Sequence, residues 1–293
     1  MGNEVCCCCA EEALPADIYQ APAPTIRAAI KYPQGARGID LESKAEVNID
    51  AWLAATTGHV RAWPYYVAYN DEEEGRAVSG TAAHAKGILA WDGAPNGRLA
   101  WLCHSVPKYP MSGRANLLPP IENSELIYAQ SFCFIEVAAN PGLVDQSLAQ
   151  LALMRVHVTE IRGFIAPQVT SQVQRAALTR LALAPGVVHI AKSPAAQLDI
   201  YEALPGARPW LVKSWLRGHE IGDTPGCRDI QELRLGTAHW TRGQDHSKWG
   251  VSAQGTQFFI GDLNRMKSQL GRGGGGFLID SATISRTLAD AIV

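Results

Sequence analysis

Two histidine–lysine pairs of identical spacing are the residues of this sequence best suited to chemistry: His84-Ala85-Lys86 and His246-Ser247-Lys248. Because alternate residues of a β-strand point to the same face, each pair would hold an imidazole beside an ammonium group. Cleavage of a phosphodiester needs a nucleophile, cations on the non-bridging oxygens and an acid for the departing alkoxide. Two histidines and two lysines supply all three, so the pairs indicate phosphodiester chemistry.

This chemistry would give the two imidazoles different tasks. One neutral histidine would attack phosphorus to form a covalent phosphohistidine, and the other, protonated, would donate to the departing oxygen and then activate water. Since an unperturbed histidine titrates at about 6.5, we expect such a mechanism to work best on the acid side of neutrality. The two pairs by themselves leave open which histidine attacks.

The first pair stands at the start of a predicted β-hairpin. Residues 83–92 and 98–106 are rich in β-branched and aromatic side chains, and Asn96-Gly97 offers a turn between them. The returning strand ends at His104, twenty residues after His84. This hairpin would place a second polar residue near the first pair.

The second pair begins a similar stretch of sequence. A turn centred on Gly255 separates HSKWGVS from QFFIGDLN, and the returning strand ends at Asn264, eighteen residues after His246. A single His-x-Lys would more simply be a half-exposed surface pair, but its recurrence in matching hairpins predicts an internal duplication. We therefore expect two similar hairpins to meet at one shared cleft, with His104 and Asn264 in equivalent places.

Strand and helix patterns alternate along the rest of the chain, which favours an α/β architecture. Runs of β-branched and aromatic residues predict further strands, and a 3.6-residue spacing of apolar residues predicts helices, the last with Ser281 as its cap. The predicted strands cover 59–70, 131–138, 187–192, 209–218 and 229–240, and the predicted helices cover 143–155, 171–184 and 281–293.

The chain divides into a leader and two halves. Residues 1–24 mix Ala, Pro and acidic residues without periodicity, which predicts a leader outside the core. Residues 25–155 contain the first hairpin and residues 156–293 the second. We expect the two halves to form one integrated domain.

The composition is that of an ordinary folded protein, with 47% hydrophobic and 18% charged residues. The net charge of −2 would not attract a polyanion, so binding of a nucleic acid must depend on local basic groups. No stretch approaches the ~20 apolar residues of a membrane-spanning helix. Four of the 7 cysteines are consecutive, at positions 6–9, and no motif matches a metal site, so we expect no metal or other cofactor.

Five segments carry the most specific pattern in the sequence: AHAKGILAWDG (83–93), WLCHSVPKYP (101–110), DHSKWGVS (245–252), GDLNR (261–265) and GRGGGG (271–276). Together they resemble the signature of the deoxyribonuclease II family. Weaker likeness, which includes YYVAYND (65–71), extends from about residue 26 to the C-terminus. That family is in turn similar to the phospholipase D superfamily, whose two half-sites each carry a His-x-Lys motif.

The resemblance implies a fold and an activity. The fold would be a phospholipase D-like α/β sandwich of two pseudo-symmetric halves, with mixed β-sheets flanked by helices and one shared active-site cleft. The activity would be that of a metal-independent acid endonuclease, which hydrolyses DNA through a phosphohistidine, leaves 3′-phosphate and 5′-hydroxyl ends and has little sequence preference. A homodimer would grip the DNA. The setting would be extracellular or endolysosomal, although the first residues lack the features of a signal peptide.

The resemblance also assigns catalytic roles. His84 would be the nucleophile and His246 the general acid, although the duplication makes the two histidines nearly interchangeable. Lys86 and Lys248 would hold the phosphate.

Further residues would bind or orient the substrate. His104 and Asn264 would hydrogen-bond the phosphate or orient a histidine. Additional contacts with the DNA backbone are expected from Lys108, Arg265 and Arg272.

Two other functions are compatible with the same residues. A phospholipase D-like lipid phosphodiesterase would use the same histidines, although HSVPKYP and GDLNRM match the nuclease pattern better. The other alternative is a catalytically silent DNA-binding relative, against which the intact His-x-Lys pairs argue.

Overall fold

Two large β-sheets contain most of the described residues that lie in helices or strands. The computed structural model describes residues 22–72, 82–109, 120–165, 169 and 175–293. Most of the predicted leader lies outside these residues, as does the beginning of the helix predicted at 171–184.

Among the described residues, the first sheet contains eight strands. They are β1 (Thr25–Lys31), β2 (Arg37–Asp40), β3 (Glu46–Asn48), β4 (Tyr65–Tyr69), β5 (Gly87–Trp91), β6 (Gly97–His104), β7 (Gln130–Ala139) and β8 (Val158–Arg162). They lie in the order β3-β2-β1-β7-β6-β5-β4-β8, and every neighbouring pair is antiparallel. The first predicted hairpin, β5–β6, lies inside this sheet.

The second sheet contains seven strands within the described ranges. Two further strands, between β12 and β15 in the chain, form a separate hairpin. The strands are β9 (Leu178–Ala184), β10 (Val187–Lys192), β11 (Trp210–Lys213), β12 (Cys227–Asp229), β13 (Glu232–Leu235), β14 (Ala238–Thr241), β15 (Trp249–Val251), β16 (Gln257–Gly261) and β17 (Gly274–Asp280). The sheet order is β12-β11-β15-β16-β17-β10-β9, with only β11 and β12 parallel, while β13 and β14 pair with each other. The second predicted hairpin is β15–β16.

The helices are short. The α-helices are α1 (Ile49–Thr57), α2 (Asn123–Leu126), α3 (Pro141–Met154), α4 (Lys267–Leu270) and α5 (Ala282–Ala289), and 3₁₀ turns cover Gly58–Ala62, Pro194–Ala196 and Arg242–Gln244. Asn48, Asn140 and Ser281 cap α1, α3 and α5 by accepting a hydrogen bond from the backbone three residues later. The cap predicted at Ser281 is confirmed.

The two sheets contain the same five-strand arrangement. In the first sheet, β1, β4, β5, β6 and β7 occur in that order along the chain and lie side by side as β1-β7-β6-β5-β4. In the second, β10, β11, β15, β16 and β17 lie side by side as β10-β17-β16-β15-β11. All neighbours in both sets are antiparallel. The hairpins β5–β6 and β15–β16 therefore occupy matching positions.

Two buried lysines occupy matching positions in this arrangement. Lys31 ends β1 and Lys192 ends β10, and both side chains are fully buried. The Lys31 ammonium donates to the Leu126 carbonyl at the end of α2 (2.8 Å), and the Lys192 ammonium donates to the Leu270 carbonyl at the end of α4 (2.7 Å). Burial lowers the pKa of each lysine to about 8. Each lysine thus satisfies a carbonyl that a short helix leaves unpaired.

The two sheets share one apolar core. Leu89 and Trp101 of the first sheet belong to the same buried cluster as Phe258, Ile260 and Phe277 of the second. The Trp101 and Phe277 rings meet edge to face at 5.4 Å. The predicted α/β class is confirmed, although β-structure outweighs helix among the described residues.

Three predicted elements differ from the structure. The strand predicted at 59–70 is a 3₁₀ turn over its first residues and becomes β4 only at Tyr65. The helix predicted at 171–184 is wrong from Leu178 onward, because β9 there buries Leu181 and Leu183 on one face in a two-residue alternation. The strand predicted at 229–240 contains the hairpin β13–β14, which turns at Gly236 with a φ of 58°.

No helix among the described residues has both the length and the apolar character required to cross a membrane.

Candidate active site

The two His-x-Lys pairs lie immediately before matching strands. His84 and Lys86 precede β5, and His246 and Lys248 precede β15. Each pair therefore stands just outside its strand, whereas the sequence had indicated that each pair opens its strand. The reason is that the backbone N–H of each histidine is bonded outside its own sheet.

Each histidine is held by the opposite half of the molecule. The backbone N–H of His84 donates to the Gly273 carbonyl just before β17 (2.9 Å), and that of His246 donates to the Ala129 carbonyl just before β7 (2.9 Å). Because β17 belongs to the second sheet and β7 to the first, neither half positions its own histidine alone. The site exists only where the two halves meet.

The lysine backbones are held in the same crossed manner. Lys86 N donates to Asp262 Oδ1 of the second half (3.4 Å), and Lys248 N donates to Ser131 Oγ of the first half (3.1 Å). Asp262 also accepts a hydrogen bond from Gly275 N (3.2 Å), and burial raises the pKa of its carboxyl to about 7. This carboxyl links a strand of the second sheet to the backbone of the first His-x-Lys pair.

The surroundings of His84 fix one tautomer. Its Nδ1 lies 2.6 Å from the backbone oxygen of Asp262, and since a carbonyl oxygen only accepts hydrogen bonds, Nδ1 carries the proton. Burial, together with the charges of Lys86, Lys248 and Arg272, lowers the pKa of His84 well below its ordinary value. His84 is therefore a neutral imidazole whose Nε2 keeps its lone pair.

His246 has different surroundings. Its Nδ1 lies 3.5 Å from Glu125 Oε2 and 3.5 Å from Gln130 Nε2. Tyr128 stacks on its ring at 3.9 Å, and the Trp215 ring lies at 4.6 Å. Burial lowers the pKa of His246 below its ordinary value, although the hydrogen bond with Glu125 opposes this shift. Its buried Nε2 has no hydrogen-bond partner among the described residues, so this nitrogen is available to a ligand.

The two lysines lie close enough to influence each other. Lys86 Nζ donates to the Asp71 carboxylate, and Lys248 Nζ donates to the His246 carbonyl (2.7 Å). Burial, with the charge of Lys86 as the next cause, lowers the pKa of Lys248 to about 7. Lys248 in turn lowers the pKa of His84. The two His-x-Lys pairs therefore belong to one electrostatic site.

His104 and Asn264 both border this site, but they are not equivalent. His104 N donates to the Lys86 carbonyl (3.3 Å), and the matching bond of the second hairpin runs from Gly261 N to the Lys248 carbonyl (3.0 Å). The prediction of equivalent places is wrong, because the residue of the second hairpin that matches His104 is Gly261. Asn264 lies three residues farther along the chain.

Both side chains nevertheless offer polar groups, His104 near the two lysines and Asn264 beside Trp215. Neither ring nitrogen of His104 has a partner among the described residues, and burial, with the charges of Lys86 and Lys248, lowers its pKa to about 3. Asn264 Oδ1 accepts a hydrogen bond from the backbone N–H of Trp215 (3.1 Å), which leaves the amide nitrogen as the donating end. A neutral His104 and this amide can each donate a hydrogen bond to an anion.

Of the cations predicted to contact DNA, Arg272 lies at the site and Lys108 is exposed. Arg272 donates to Asp71 Oδ2 (3.2 Å) and to the carbonyls of Ala82 and Ala83. It therefore holds the chain that leads into His84 as well as the carboxylate beside Lys86. The exposed Lys108 adopts a left-handed backbone conformation with a φ of 55°.

Arg265 is placed differently from the prediction. Its side chain is fully buried and donates to Asp199 (2.9 Å) and to Asp229 (2.8 Å). A buried guanidinium with two carboxylates ties chain segments together and has no surface to offer a substrate. The structure does not support the predicted contact of Arg265 with DNA.

Several side chains of the site have no recognisable spacing in the sequence. They are Asp71, Glu125, Tyr128, Gln130, Trp215 and Asp262. Asp71 and Trp215 reach a histidine of their own sheet through the pairing of neighbouring strands, and the other four reach a histidine of the opposite half. The available signal was their position in family-like segments, since Asp71 ends YYVAYND and Asp262 lies in GDLNR. No group of three or more His, Cys, Asp or Glu side chains arranged to hold a metal ion occurs within the described ranges.

Two imidazoles with different hydrogen-bond surroundings, two buried lysines and neutral hydrogen-bond donors suit the hydrolysis of a phosphate ester. The chain belongs to the deoxyribonuclease II family, whose sequence model matches residues 57–293 and thus both hairpins. This family is one of hydrolytic nucleases.

Curated relatives span bacteria and animals. The chain is 27% identical to a putative deoxyribonuclease-2 of Burkholderia thailandensis over 255 residues, which cover 77% of this chain and 70% of that relative. It is 27% identical to cell-death-related nuclease 7 of Caenorhabditis elegans over 85% of this chain and 72% of the relative. It is 29% identical to deoxyribonuclease-2-beta of Rattus norvegicus over 72% of this chain and 65% of the relative.

Proposed function

We propose that this protein is an acid endonuclease that hydrolyses DNA without a metal ion, through a phosphohistidine on His84. The observation that carries the proposal is the difference between the two histidines. His84 donates its Nδ1 proton to a backbone carbonyl, whereas Nδ1 of His246 faces the Glu125 carboxylate. A nucleophile needs the first arrangement, and a general acid benefits from the second.

In the first step, Nε2 of His84 would attack phosphorus while the bond from phosphorus to the 5′-oxygen breaks. His246 would donate its proton to that oxygen, which leaves as a 5′-hydroxyl. The phosphoryl group would then join Nε2 of His84 to the 3′-oxygen of the other fragment. Because the proton moves to the leaving group as the bond breaks, no alkoxide is released.

In the second step, His246 would take a proton from water as the water oxygen attacks phosphorus. The bond between phosphorus and Nε2 of His84 would break, and the product would carry a 3′-phosphate. His84 returns to its neutral state and His246 to its protonated state. The cycle therefore consumes one water and needs no other reactant.

Cations of the protein would take the role of a Lewis acid at the non-bridging oxygens. Lys86 and Lys248 are buried at the site, and Arg272 lies beside Lys86 through their common partner Asp71. Lys248 has a pKa of about 7, so it is protonated at acid pH and loses its charge as the pH rises toward neutrality. His104 and Asn264 would add neutral hydrogen bonds.

We further propose that the chain contains two pseudo-symmetric, phospholipase D-like halves, residues 25–155 and 156–293, in one domain, with β8 of the second range pairing with β4 in the first sheet. The matching strand orders of the two sheets support this proposal, as do the matching contacts of Lys31 and Lys192. The substrate would be DNA with little sequence preference, since the proposed contacts are with phosphate. Homodimer formation stays a prediction.

The proposed function is tested by incubating the purified protein with supercoiled plasmid and EDTA at about pH 5. We expect nicking that resists EDTA, and we expect end analysis to find 3′-phosphate and 5′-hydroxyl groups. His84→Ala and His246→Ala, confirmed as folded by circular dichroism, should each abolish nicking. A strict requirement for magnesium, or full activity in either variant, would refute the proposal.

A further inference from the structure

Asp71 is a fully buried carboxylate at the site that lies outside the His-x-Lys motifs. Its Oδ1 accepts a hydrogen bond from Lys86 Nζ, and its Oδ2 accepts one from Arg272 (3.2 Å). The same Oδ2 lies 3.9 Å from Nε2 of His84, the proposed attacking atom. One carboxylate thus contacts two cations and faces the nucleophile.

The second half has a different residue at the matching position. Asp71 lies two residues beyond β4, and Trp215 lies two residues beyond β11. β4 pairs with β5, and β11 with β15, in the same register relative to the two His-x-Lys pairs. The Trp215 ring lies against His246, 4.6 Å between ring centroids. The duplicated fold therefore places a carboxylate beside one histidine and an indole beside the other.

Asp71 also connects cations from the two halves. Lys86 belongs to the first half and Arg272 to the second, and both side chains are almost completely removed from solvent. Two buried cations that share one carboxylate are held at a fixed separation, whereas without it they would repel each other in a medium of low dielectric constant. Such a fixed pair of donors matches two oxygens of one phosphate group.

We propose that Asp71 is a positioning residue for the cleavage reaction, whose carboxylate holds Lys86 and Arg272 where both can contact the non-bridging oxygens of the phosphate attacked by His84. This inference rests on the proposed function and adds to it a residue that acts through the two cations. Trp215, at the matching position, has no carboxylate with which to hold two cations.

The proposal has a consequence for pH dependence. The charged and titratable groups that face Asp71 are Lys86 and His84, from the segment before β5, and Arg272, from the segment before β17. His104, at the end of β6, and Lys248, from the segment before β15, also sense its charge. Although burial opposes ionisation, the charge and hydrogen bond of Lys86, together with the charge of Arg272, keep the pKa of Asp71 below its ordinary value, so the carboxylate persists at acid pH. The charge of Asp71 partly offsets the lowering of the pKa of His84 and of Lys248. Removing its charge should lower both.

The test compares the wild type with Asp71→Asn and with the control Asp145→Asn, a change at an exposed position on α3. Cleavage of a short oligonucleotide is measured as kcat/KM from about pH 4 to pH 8, which reports the ionisations of the unbound enzyme. We expect kcat/KM of Asp71→Asn to fall by about 100-fold, the effect of misplacing catalytic groups by about 1 Å. The acid limb, set by His84, and the alkaline limb, to which Lys248 contributes, should both move to lower pH. The control should keep the wild-type profile.

Two further variants separate positioning from stability. Asp71→Glu keeps the charge but displaces it, so kcat/KM should fall while both limbs stay at their wild-type pH. This variant carries the test if Asp71→Asn does not fold. In addition, Arg272→Gln should cost much less in the Asp71→Asn background than in the wild type, because coupled residues are not additive.

The outcomes distinguish this inference from the proposed function. A wild-type protein that does not cleave DNA contradicts the proposed function itself. If the wild type cleaves DNA, the inference is overturned when Asp71→Asn matches the wild type, or when it loses activity without a shift of either limb. Wild-type kcat/KM in Asp71→Glu, or additive losses for Asp71→Asn and Arg272→Gln, would overturn it as well.

Discussion

The two halves of the molecule place a histidine and a lysine before the same strand of the same five-strand arrangement, yet they surround the two histidines differently. His84 contacts a backbone carbonyl and faces the Asp71 carboxylate, whereas His246 contacts Glu125 and lies beside Tyr128 and Trp215. The backbone arrangement is repeated, whereas the side chains around the two histidines differ.

A second difference lies in how the lysine backbones are held. Asp262 binds Lys86 N, and the serine Ser131 binds Lys248 N. A buried carboxyl with a pKa of about 7 therefore accepts the lysine backbone hydrogen bond of the first pair, and a hydroxyl accepts that of the second. In the proposed mechanism, these different supports would let His84 attack while His246 transfers protons.

The largest expected difference between the two histidines should appear when each is replaced and the leaving group of the substrate is varied. Thymidine 3′-p-nitrophenyl phosphate has a leaving group that needs no proton. On this substrate, His246→Ala should release a burst of one nitrophenolate per site at nearly the wild-type rate, followed by slow turnover, because water activation is impaired. On DNA the same variant should lose about 10³-fold in rate, within the range of general acid catalysis.

His84→Ala should behave differently in this experiment. It should give no burst and lose about 10⁴-fold or more on both substrates, because no nucleophile remains. If the two variants exchange these behaviours, His246 is the nucleophile and the proposed division of roles is incorrect. Stopped-flow absorbance of nitrophenolate is the measurement.

A smaller effect is expected from the support of His246. Glu125→Gln removes the carboxylate that raises the pKa of His246, so the protonated general acid should be lost at a lower pH. We expect the limb of the kcat/KM profile on the alkaline side to move to lower pH, and the rate near pH 6 to fall by about tenfold, which corresponds to about one pKa unit. The exposed Glu42→Gln provides the control. An unchanged profile in Glu125→Gln would show that this contact does not tune His246.

The smallest expected effect concerns the repeated frame itself. Lys31→Met and Lys192→Met each remove an ammonium that pairs with carbonyls at the end of a short helix. Each variant should lower the free energy of unfolding by about 1–3 kcal/mol, the cost of leaving buried polar groups unpaired, as measured by urea denaturation. Similar losses in the two variants would support equivalence of the halves. A loss in one variant only would argue against it.

The local features of the site could be predicted from the sequence. The hairpins that follow the two His-x-Lys pairs are β5–β6 and β15–β16, because strand alternation and turn residues are encoded within a few positions. The cap at Ser281 was predicted for the same reason. Local rules failed at β9, where a run that also fits helical spacing buries alternate residues against the core.

The contacts between the halves could not be predicted from the sequence. Asp262 and His84 are 178 residues apart, and Gln130 and His246 are 116 apart, so only the packing of the sheets brings them together. The same limit explains Arg265, whose burial depends on Asp199 and Asp229 arriving from distant segments. A charged residue in a family-like motif gave no sign of whether it faces a substrate or the core.

The most direct test of the division of roles is to locate the covalent intermediate. Wild-type protein is mixed with DNA at acid pH, quenched in alkaline denaturant during turnover, digested and mapped by mass spectrometry for a nucleotidyl group on histidine. The account predicts an adduct on the peptide that contains His84, and a larger amount in His246→Ala when thymidine 3′-p-nitrophenyl phosphate replaces DNA. An adduct on the peptide that contains His246, or cleavage with no adduct on either peptide, would contradict it.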